Sequence, residues 1–403
     1  MVEISSFKGY IFNSKKTGDI SKVIAPPWDV IDEKFEEKLQ LQSPYNIINL
    51  ISKNVEPADV SVKFHKWIKE EILIEEKEEC FYFVNHKFKV DGEKKERKGF
   101  FALLKLEEFE KGNVIPHEKI FEKYKMNRYK LIEKCRANFS PVFMLYRDEN
   151  FIFEKETEGE KEEITGRIND ENFSFGRITD RKKIERIRKL FKNKKVIIAD
   201  GHHRYNAALH FYLDNPYPWA EKVLVFFVNI NSPGLVILPT HRYIQKDISF
   251  IDKRETLGNF FEFIDVSSIE EMKEKMKENY DNHTFGVYEK GNFFVLILKR
   301  KEVMEKIAEK HSKNWSELDT VILHEFIFTD IFKIKSNEFL FHSSMDYLMD
   351  EYRRKKEGVI FFLNPIKTEQ FLKICYSGEV MPHKSTYFYP KVPSGLVIYK
   401  FPV

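Results

Sequence analysis

The sequence predicts a mixed α/β (α+β) protein, and three patterns carry this prediction. The β-branched run Val196–Ala199 predicts a buried strand, and after Gly201 the segment Tyr205–Leu209 returns to helical periodicity. Aromatic-rich segments on either side of Asp91-Gly92 predict a β-hairpin. The C-terminal third alternates charged amphipathic helices with short apolar strands, and no internal repeat is evident.

The N-terminal region, residues 1–150, is predicted to hold a helix followed by the hairpin. Val60–Ile74 spaces apolar residues among charged ones, as an amphipathic helix does. The hairpin strands are predicted over Phe81–Val90 and Phe100–Leu104, with a charged tip between them. These elements indicate an α+β region.

The central region, residues 151–250, begins with Phe151–Ile164, which is acidic and is predicted to be an exposed hairpin or linker. Arg181–Lys195 carries nine Lys or Arg, while its apolar residues fall on one helical face. We interpret it as a solvated helix that packs this face and leads into the strand at Val196, rather than as a nucleic-acid surface. Further strands are predicted over Val223–Ile230 and Leu235–Leu238.

The C-terminal region, residues 251–403, is predicted to be a second α+β region. Ser316–Asp319 resembles a capping box before an apolar helix over Val321–Ile334. The other predicted elements are the helices Ile269–Tyr280 and Glu302–His311 and the strands Phe293–Leu298 and Val359–Leu363.

Composition bounds the class of protein. A chain of 403 residues is long enough for two or three domains, and its net charge of +3 disfavours nucleic acid or an anionic membrane as a partner. The three widely spaced cysteines argue against a disulfide framework and indicate a reducing compartment. Because neither a signal sequence nor a membrane-length apolar run is evident, we expect a soluble, cytoplasmic protein. The sequence leaves its oligomeric state open.

The turn Asp200-Gly201-His202-His203-Arg204 combines several reactive groups where the predicted strand ends. A helix that starts there directs N–H groups and a partial positive charge at the turn, which favours an anion such as phosphate. Arg204 adds a fork of donors, and the two imidazoles offer proton transfer, a nucleophile or metal ligands. Singly, Asp200 as a helix cap or Arg204 as a solvated side chain is the simpler explanation, but together these residues indicate function.

Four more segments combine proline with polar side chains, and each alone is more often a rigid turn than a site. They contain Asp29, His117 with Glu118, Thr240-His241-Arg242 and Lys384-Ser385-Thr386. The last resembles a phosphate loop, but His383 replaces its second glycine and a strand, not a helix, is predicted to follow. Phosphate binding by residues 384–386 as separate donors and a purely structural role both stay open.

The histidines and carboxylates do not match a zinc site, because HExxH and a closed Cys/His set are both missing from the sequence. A hard cation on Asp200, Asp29 or Glu118, brought in with nucleotide phosphates, fits the side chains better. The metal ligands themselves stay unknown.

Six segments, in order, resemble the motif series of the bacterial and archaeal domain-of-unknown-function family 1015. They are APPWDVI, SPYNIINL, IPHEKIFEKYKMNRYKLIEKCRANFSPVFMLY, IADGHHRYNAAL, ILPTHR and MPHKSTYFYPKVPSGLV. The resemblance covers essentially the whole chain.

The 200–204 turn also resembles the phosphate motif of the ParB/sulfiredoxin superfamily, which implies a nucleotide-binding core of that type around residues 196–242. Sulfiredoxins have a reactive cysteine where this chain has His202, so sulfur chemistry is not expected. The partitioning proteins of the superfamily add a helix-turn-helix, which this sequence lacks. Its free-serine kinases imply a phosphotransferase for a small hydroxyl metabolite, with free serine or phosphoserine as candidates, using ATP, ADP or another nucleotide with Mg²⁺.

In that hypothesis His202, His203, Asp29 and Glu118 are catalytic: the histidines donate to the transferring oxygen or, for His202, carry phosphate, while a carboxylate orients the metal or accepts the hydroxyl proton. The expected nucleotide and phosphate ligands are Asp200, Gly201, Arg204, His117, Thr240, His241, Arg242, Lys384, Ser385 and Thr386. Two alternatives stay open: a histidine-dependent phosphatase for a phosphoserine-like substrate, and a non-catalytic ParB-like nucleotide-gated binding module.

Overall fold

The computed structural model of the chain describes residues 1–118, 122–246, 248–334 and 338–402, with the side chains of residues 29 and 122–125 outside this description. The chain divides into two compact units. Unit 1 comprises residues 1–116, 120–236 and 390–403, and unit 2 comprises residues 117–119 and 237–389. The three regions 1–150, 151–250 and 251–403 stay a prediction from the sequence.

Within the described residues, unit 1 is built on a nine-stranded mixed sheet. Val196–Asp200 is an inner strand, parallel to Val114–Ile115 and antiparallel to Val142–Tyr146. Its apolar residues are buried, as the β-branched run predicts. Across the sheet the strands are Val114–Ile115, Val196–Asp200, Val142–Tyr146, Lys222–Asn229, Glu93–Lys105, Phe81–Val90, Glu171–Ile178 and Ile164–Ile168, with Ile4–Ser5 beside Glu93–Lys105. Two further pairs join Tyr10–Phe12 to Leu73–Glu75 and Ala137–Asn138 to Tyr399–Lys400.

The predicted hairpin is present, with Asp91 and Gly92 both in left-handed conformations at φ of 49° and 81°. Two left-handed residues twist the turn as its paired strands require. The helix Arg181–Phe191 is capped by Asp180 and buries Ile187 and Phe191, so its basic residues form a solvated face as we interpreted. The α-helices of unit 1 are Ser14–Thr17, Glu33–Gln42, Ile48–Ile51, Pro57–Lys69, Glu122–Cys135, Ile152–Glu156, Arg181–Phe191 and His202–Asp214.

The prediction of an exposed hairpin or linker over Phe151–Ile164 is wrong. The segment contains the helix Ile152–Glu156, and Phe153 is buried against Phe100 with the ring centroids 4.4 Å apart. Phe153 fixes the segment to the core of unit 1, although its neighbours in the sequence are acidic. The burial of one aromatic side chain is enough to hold a polar segment in place.

Within the described residues, unit 2 is built on a six-stranded antiparallel sheet. Its order is Phe261–Val266, Asn292–Leu298, Thr284–Glu289, Val359–Leu363, His241–Ile244 and Phe339–His342. Strand Val359–Leu363 is buried along its whole length between two neighbours. The short strand Tyr387–Tyr389 follows Lys384, as expected from the rejection of a phosphate loop. The α-helices are Arg254–Gly258, Ile269–Glu278, Glu302–Ala308, Lys313–Ser316, Asp319–Val321, Met345–Lys355 and Thr368–Ser377.

The apolar helix predicted over Val321–Ile334 is a π-helix over Ile322–Phe332. The expected capping box is wrong: Ser316 ends the preceding helix and donates to the Lys313 carbonyl, while Asp319 contacts His283. Because the segment is apolar on most of its surface, its sequence carries no period that distinguishes 3.6 residues per turn from a wider helix.

The mixed α/β class predicted from the sequence is confirmed. All three cysteines are buried and free. No helix in the described part of the chain is both long and apolar enough to span a membrane.

We predict that Glu154→Gln stabilises the protein at pH 8. Both carboxylate oxygens of Glu154 are shielded from solvent, and burial, the largest influence on this carboxyl, raises its pKa above the ordinary value. A raised pKa in the folded state means that the neutral form stabilises the fold, and this contribution is lost as pH rises through the raised pKa. The amide stays neutral, so the melting temperature should rise by roughly 1–3 °C.

The measurement is thermal unfolding of both proteins between pH 3.5 and pH 8, and the gain should vanish at the acid end. Glu158→Gln is the matched control, because Glu158 is exposed in the same segment. An equal gain for both variants, or a gain that does not depend on pH, would contradict the burial argument.

Candidate functional site

The turn after strand Val196–Asp200 is shaped by a bulge and a left-handed glycine. The pairing register with Val142–Tyr146 shifts between Ile198 and Asp200, which redirects the Asp200 side chain at the end of the strand. Gly201 then has φ of 89° and ψ of 28°, and the helix His202–Asp214 begins directly after it. Among the described residues, no side chain hydrogen-bonds to this N-terminus as a cap, so the sequence alternative in which Asp200 caps the helix is wrong.

The Asp200 carboxylate lies between two cations of unit 1. Arg204 Nη2 is 2.7 Å from Oδ2, and Lys391 Nζ is 3.3 Å from Oδ1. All three side chains are less than one fifth exposed. Counted by themselves, these three side chains carry a net charge of +1, and they lie at the positive end of a helix dipole. The local electrostatics therefore favour an anion beside this turn.

Arg204 is held by a backbone carbonyl as well as by Asp200. Its Nη1 donates to the Pro141 carbonyl, and it lines a small cavity of about 40 Å³ together with Arg128. Arg128 stacks over Trp28, with its guanidinium carbon 4.6 Å from the ring centroid. Because its guanidinium group is engaged in the bonds to Asp200 and Pro141, Arg204 fixes the turn, and its positive charge stays in one place.

His202 and His203 start the helix, the first buried and the second partly buried. One turn on, the Tyr205 hydroxyl donates to the Glu107 carbonyl at 2.8 Å and accepts from the Glu107 N–H at 3.0 Å. Burial raises the pKa of Tyr205, so its hydroxyl stays protonated and keeps the helix fixed to the loop before Val114.

A divalent cation does not fit at Asp200 in this arrangement, because each carboxylate oxygen already contacts a positive group. Among the described residues, no three His, Cys, Asp or Glu side chains are grouped as metal ligands. The side chain of Asp29 lies outside the described residues, so its catalytic role stays a prediction.

The predicted residues of unit 2 form a second cluster. His117 Nε2 is 2.9 Å from Thr386 Oγ1, and the Met381 N–H donates to the His117 carbonyl at 2.9 Å. The Glu118 carboxylate accepts from the Lys384 N–H at 3.0 Å and contacts His383 Nδ1. Residues more than 260 positions apart in the sequence are thus brought together.

Arg242 is completely buried on strand His241–Ile244 and holds this cluster from inside. It donates to the carbonyls of Thr240 and Lys384 and, at 3.2 Å, to His324 Nε2. No carboxylate in the described part of the chain is within ion-pair distance of it. Burial lowers the pKa of Arg242 to about 9, an effect that the negative charge of Glu118 offsets in part.

His241 and Ser385 are occupied by local contacts. His241 Nδ1 accepts from the Leu363 N–H at 3.2 Å, and burial together with Arg242 lowers the pKa of His241 to about 3. Ser385 Oγ donates to the Pro382 carbonyl at 2.7 Å. A neutral, buried imidazole with a backbone partner fixes two strands together, so the geometry gives His241 a structural role beside the site.

Three contributors were missed by sequence reasoning as site residues: Lys391, His324 and His383. Lys391 and His383 belong to the segment that was singled out, and proximity to Lys384 was an available signal. His324 had none, because it lies in the apolar π-helix, where burial and Arg242 lower its pKa to about 3.

The sequence model of one protein family matches residues 4–321, and that family is described as a protein of unknown function (DUF1015). Among curated proteins, no sequence matches this chain.

Solved structures give distant matches. A conserved hypothetical protein from Pyrococcus furiosus has 13% identity and a TM-score of 0.37, covering 73% of this chain and 93% of its own. A free serine kinase in complex with AMP has 13% identity and a TM-score of 0.38, with 73% and 92% covered. A C-terminally truncated SbnI from Staphylococcus aureus has 9% identity and a TM-score of 0.35, with 72% and 84% covered. Matches at this level do not transfer a ligand or an activity.

We predict that Gly201→Ala displaces Arg204. A Cβ atom at Gly201 would lie 2.8 Å from Arg204 Nε and 2.9 Å from its Cζ. The alanine also adopts a left-handed conformation, which costs about 1–2 kcal/mol. Losing the bonds of Arg204 to Asp200 and Pro141 adds roughly another 1–2 kcal/mol to the loss in unfolding free energy.

The control is Gly112→Ala, since Gly112 is also left-handed at φ of 73° but has open space where its Cβ would lie. Denaturant unfolding of both variants separates backbone strain from the contact with Arg204. An equal loss of stability in the two variants would show that Arg204 moves aside freely.

Proposed function

The chain belongs to the DUF1015 family, and we propose that it is a nucleotide-dependent phosphotransferase acting on a small hydroxyl metabolite. The observation that carries the proposal is the pair of cations, Arg204 and Lys391, held beside the N-terminus of helix His202–Asp214. A phosphate group beside that turn gains from both the cations and the helix dipole.

Arg204 and Lys391 have different parts in this proposal. The fork of Arg204 is tied to Asp200 and Pro141, so it acts as a positioning residue for the turn. Lys391 is held 3.3 Å from Asp200, a looser contact, which a phosphate oxygen can compete for. His202 and His203 stand at the first two helical positions and are the proposed proton donors to the transferring oxygen.

Unit 2 supplies a separate set of proposed phosphate ligands, and two observations support it. Arg242 is a buried cation without a carboxylate in ion-pair contact among the described residues, an arrangement that an anion stabilises. The Thr240 hydroxyl is also buried, and no described residue forms a hydrogen bond with it. With Lys384, Ser385, Thr386 and His117, these residues are the proposed second group.

Glu118 is the proposed acceptor of the hydroxyl proton. Its carboxylate is fixed by the Lys384 N–H and contacts His383, whose side chain is 42% exposed. A hydroxyl proton taken by Glu118 or His383 can pass to solvent through the exposed imidazole. The motif resemblance supports the remaining parts of the proposal, which are Asp29 as a further catalytic carboxylate, ATP or ADP with Mg²⁺ as the donor and free serine as the acceptor.

The test is thermal unfolding with ATP, ADP, CTP or GTP, each with Mg²⁺. A nucleotide at about 100 times its Kd raises the unfolding free energy by about 2.7 kcal/mol. Lys391→Met should bind about tenfold more weakly because one charge-assisted contact to phosphate is lost. Arg204→Ala should lose binding through disorder of the turn. The control is Arg188→Ala, which removes an exposed arginine of the same unit.

If none of the four nucleotides shifts the unfolding of the wild-type protein, the kinase proposal is overturned. Release of phosphate from phosphoserine without any nucleotide favours the phosphatase instead. Nucleotide binding without turnover, accompanied by DNA binding that weakens steeply with salt, favours the binding module.

A further inference from the structure

A polar cleft of about 340 Å³ lies entirely within unit 2, and Ser385 is the one residue that it shares with the proposed phosphate ligands. His283 and Asp319 line it, together with Thr320 and Ser385. Its volume is in the range of sites that take small molecules. Of these residues, only Ser385 was among the site residues predicted from the sequence.

His283 and Asp319 form an oriented pair on one wall. His283 Nδ1 is 2.8 Å from Asp319 Oδ1, and the two side chains are 23% and 22% exposed. A carboxylate on Nδ1 keeps the proton there and leaves Nε2 as the acceptor. Within the described residues, no side chain or backbone group hydrogen-bonds to Nε2. The imidazole is therefore set to accept a proton or a hydrogen bond from a ligand.

The backbone of His283 is also unusual, since its φ is 49°. A non-glycine residue in the left-handed region costs on the order of 1 kcal/mol and is held there by its surroundings. The Leu298 N–H holds the His283 carbonyl at 3.3 Å, and strand Thr284–Glu289 begins at the next residue. The sheet thus fixes the direction of the ring.

The charges around the cleft define the kind of ligand. Two lysines, Lys367 and Lys373, face four carboxylates, so the lining carries a net charge of −2 with His283 neutral. Asp281 pairs with Lys367, and Asp319 is paired with His283. Glu369 has no ion pair among the described residues. Glu317 has only Lys313, at 4.0 Å. An ammonium group is favoured and a free phosphate is not.

We propose that this cleft binds an amino alcohol. His283 Nε2 accepts a hydrogen bond from the ligand's hydroxyl, and Glu369 and the loosely paired Glu317 hold its ammonium group. Asp319 is the positioning residue that fixes the tautomer of His283. Ser385 Oγ donates to Thr320 Oγ1 at 3.2 Å, and both residues line the cleft.

Three compounds of nearly the same shape test the two recognition elements. Serinol (2-amino-1,3-propanediol) carries both groups, glycerol lacks the ammonium and isopropylamine lacks the hydroxyls. The protein is labelled with ¹⁵N in its histidine rings, His283 is assigned from His283→Asn, and each compound is titrated without nucleotide. Asparagine tolerates left-handed backbone, so this variant keeps the fold. Serinol should shift the His283 resonances and bind at least about tenfold more tightly than either analogue.

Asp319→Asn and Asp281→Asn remove the same charge from the same cleft, which makes them a matched pair. Asp319→Asn should shift the His283 tautomer and weaken serinol binding about tenfold, while Asp281→Asn should change it by less than about threefold. Equal losses in the two variants would overturn the role of the pair. His283 resonances that do not move with serinol, or equal binding of all three compounds, would overturn the site. Because no nucleotide is present, either outcome is independent of phosphotransfer.

Discussion

The left-handed backbone at Gly201 is the constraint from which the arrangement of unit 1 around the 200–204 turn follows. It ends a buried strand and starts a helix within one residue, so Asp200 belongs to the sheet and Arg204 to the first helical turn. Their ion pair then joins the two elements, and Lys391 adds the C-terminal segment to them. A side chain at position 201 would occupy the space of the Arg204 guanidinium, which is why the turn requires glycine.

The two units hold their central arginine in opposite ways. Arg204 is paired with a carboxylate and keeps a small exposed area, whereas Arg242 is completely buried with carbonyls and a histidine as its partners. Burial lowers the pKa values of His241 and His324, and the positive charge of Arg242 lowers them further, so both imidazoles stay neutral. In unit 2 the positive charge is therefore concentrated on Arg242. In unit 1 the charged groups are Asp200, Arg204 and Lys391 together.

The strand, turn and helix around residue 201 were predictable because β-branched residues, a glycine and a helical period follow one another there. The hairpin at Asp91-Gly92 was predictable for the same local reason. The contact of Glu118 with Lys384 was not, since 266 positions separate them and only the fold of unit 2 brings them together. Phe153 was hidden among acidic neighbours, and His283 and Asp319 are single residues whose meaning depends on a contact across the chain. Local patterns thus predict elements, whereas pairings between distant residues require the structure.

The path of the chain makes unit 2 discontinuous. Residues 117 and 118 belong to it, although unit 1 contributes the residues up to 116 and most of those up to 236. The bridge between Glu118 and Met381 and the contact of His117 with Thr386 close a loop of more than 260 residues. A fragment consisting of residues 237–389 lacks one side of both contacts. Forming them in the whole chain requires the closure of that loop, and contacts of such long sequence separation slow folding more than they cost stability.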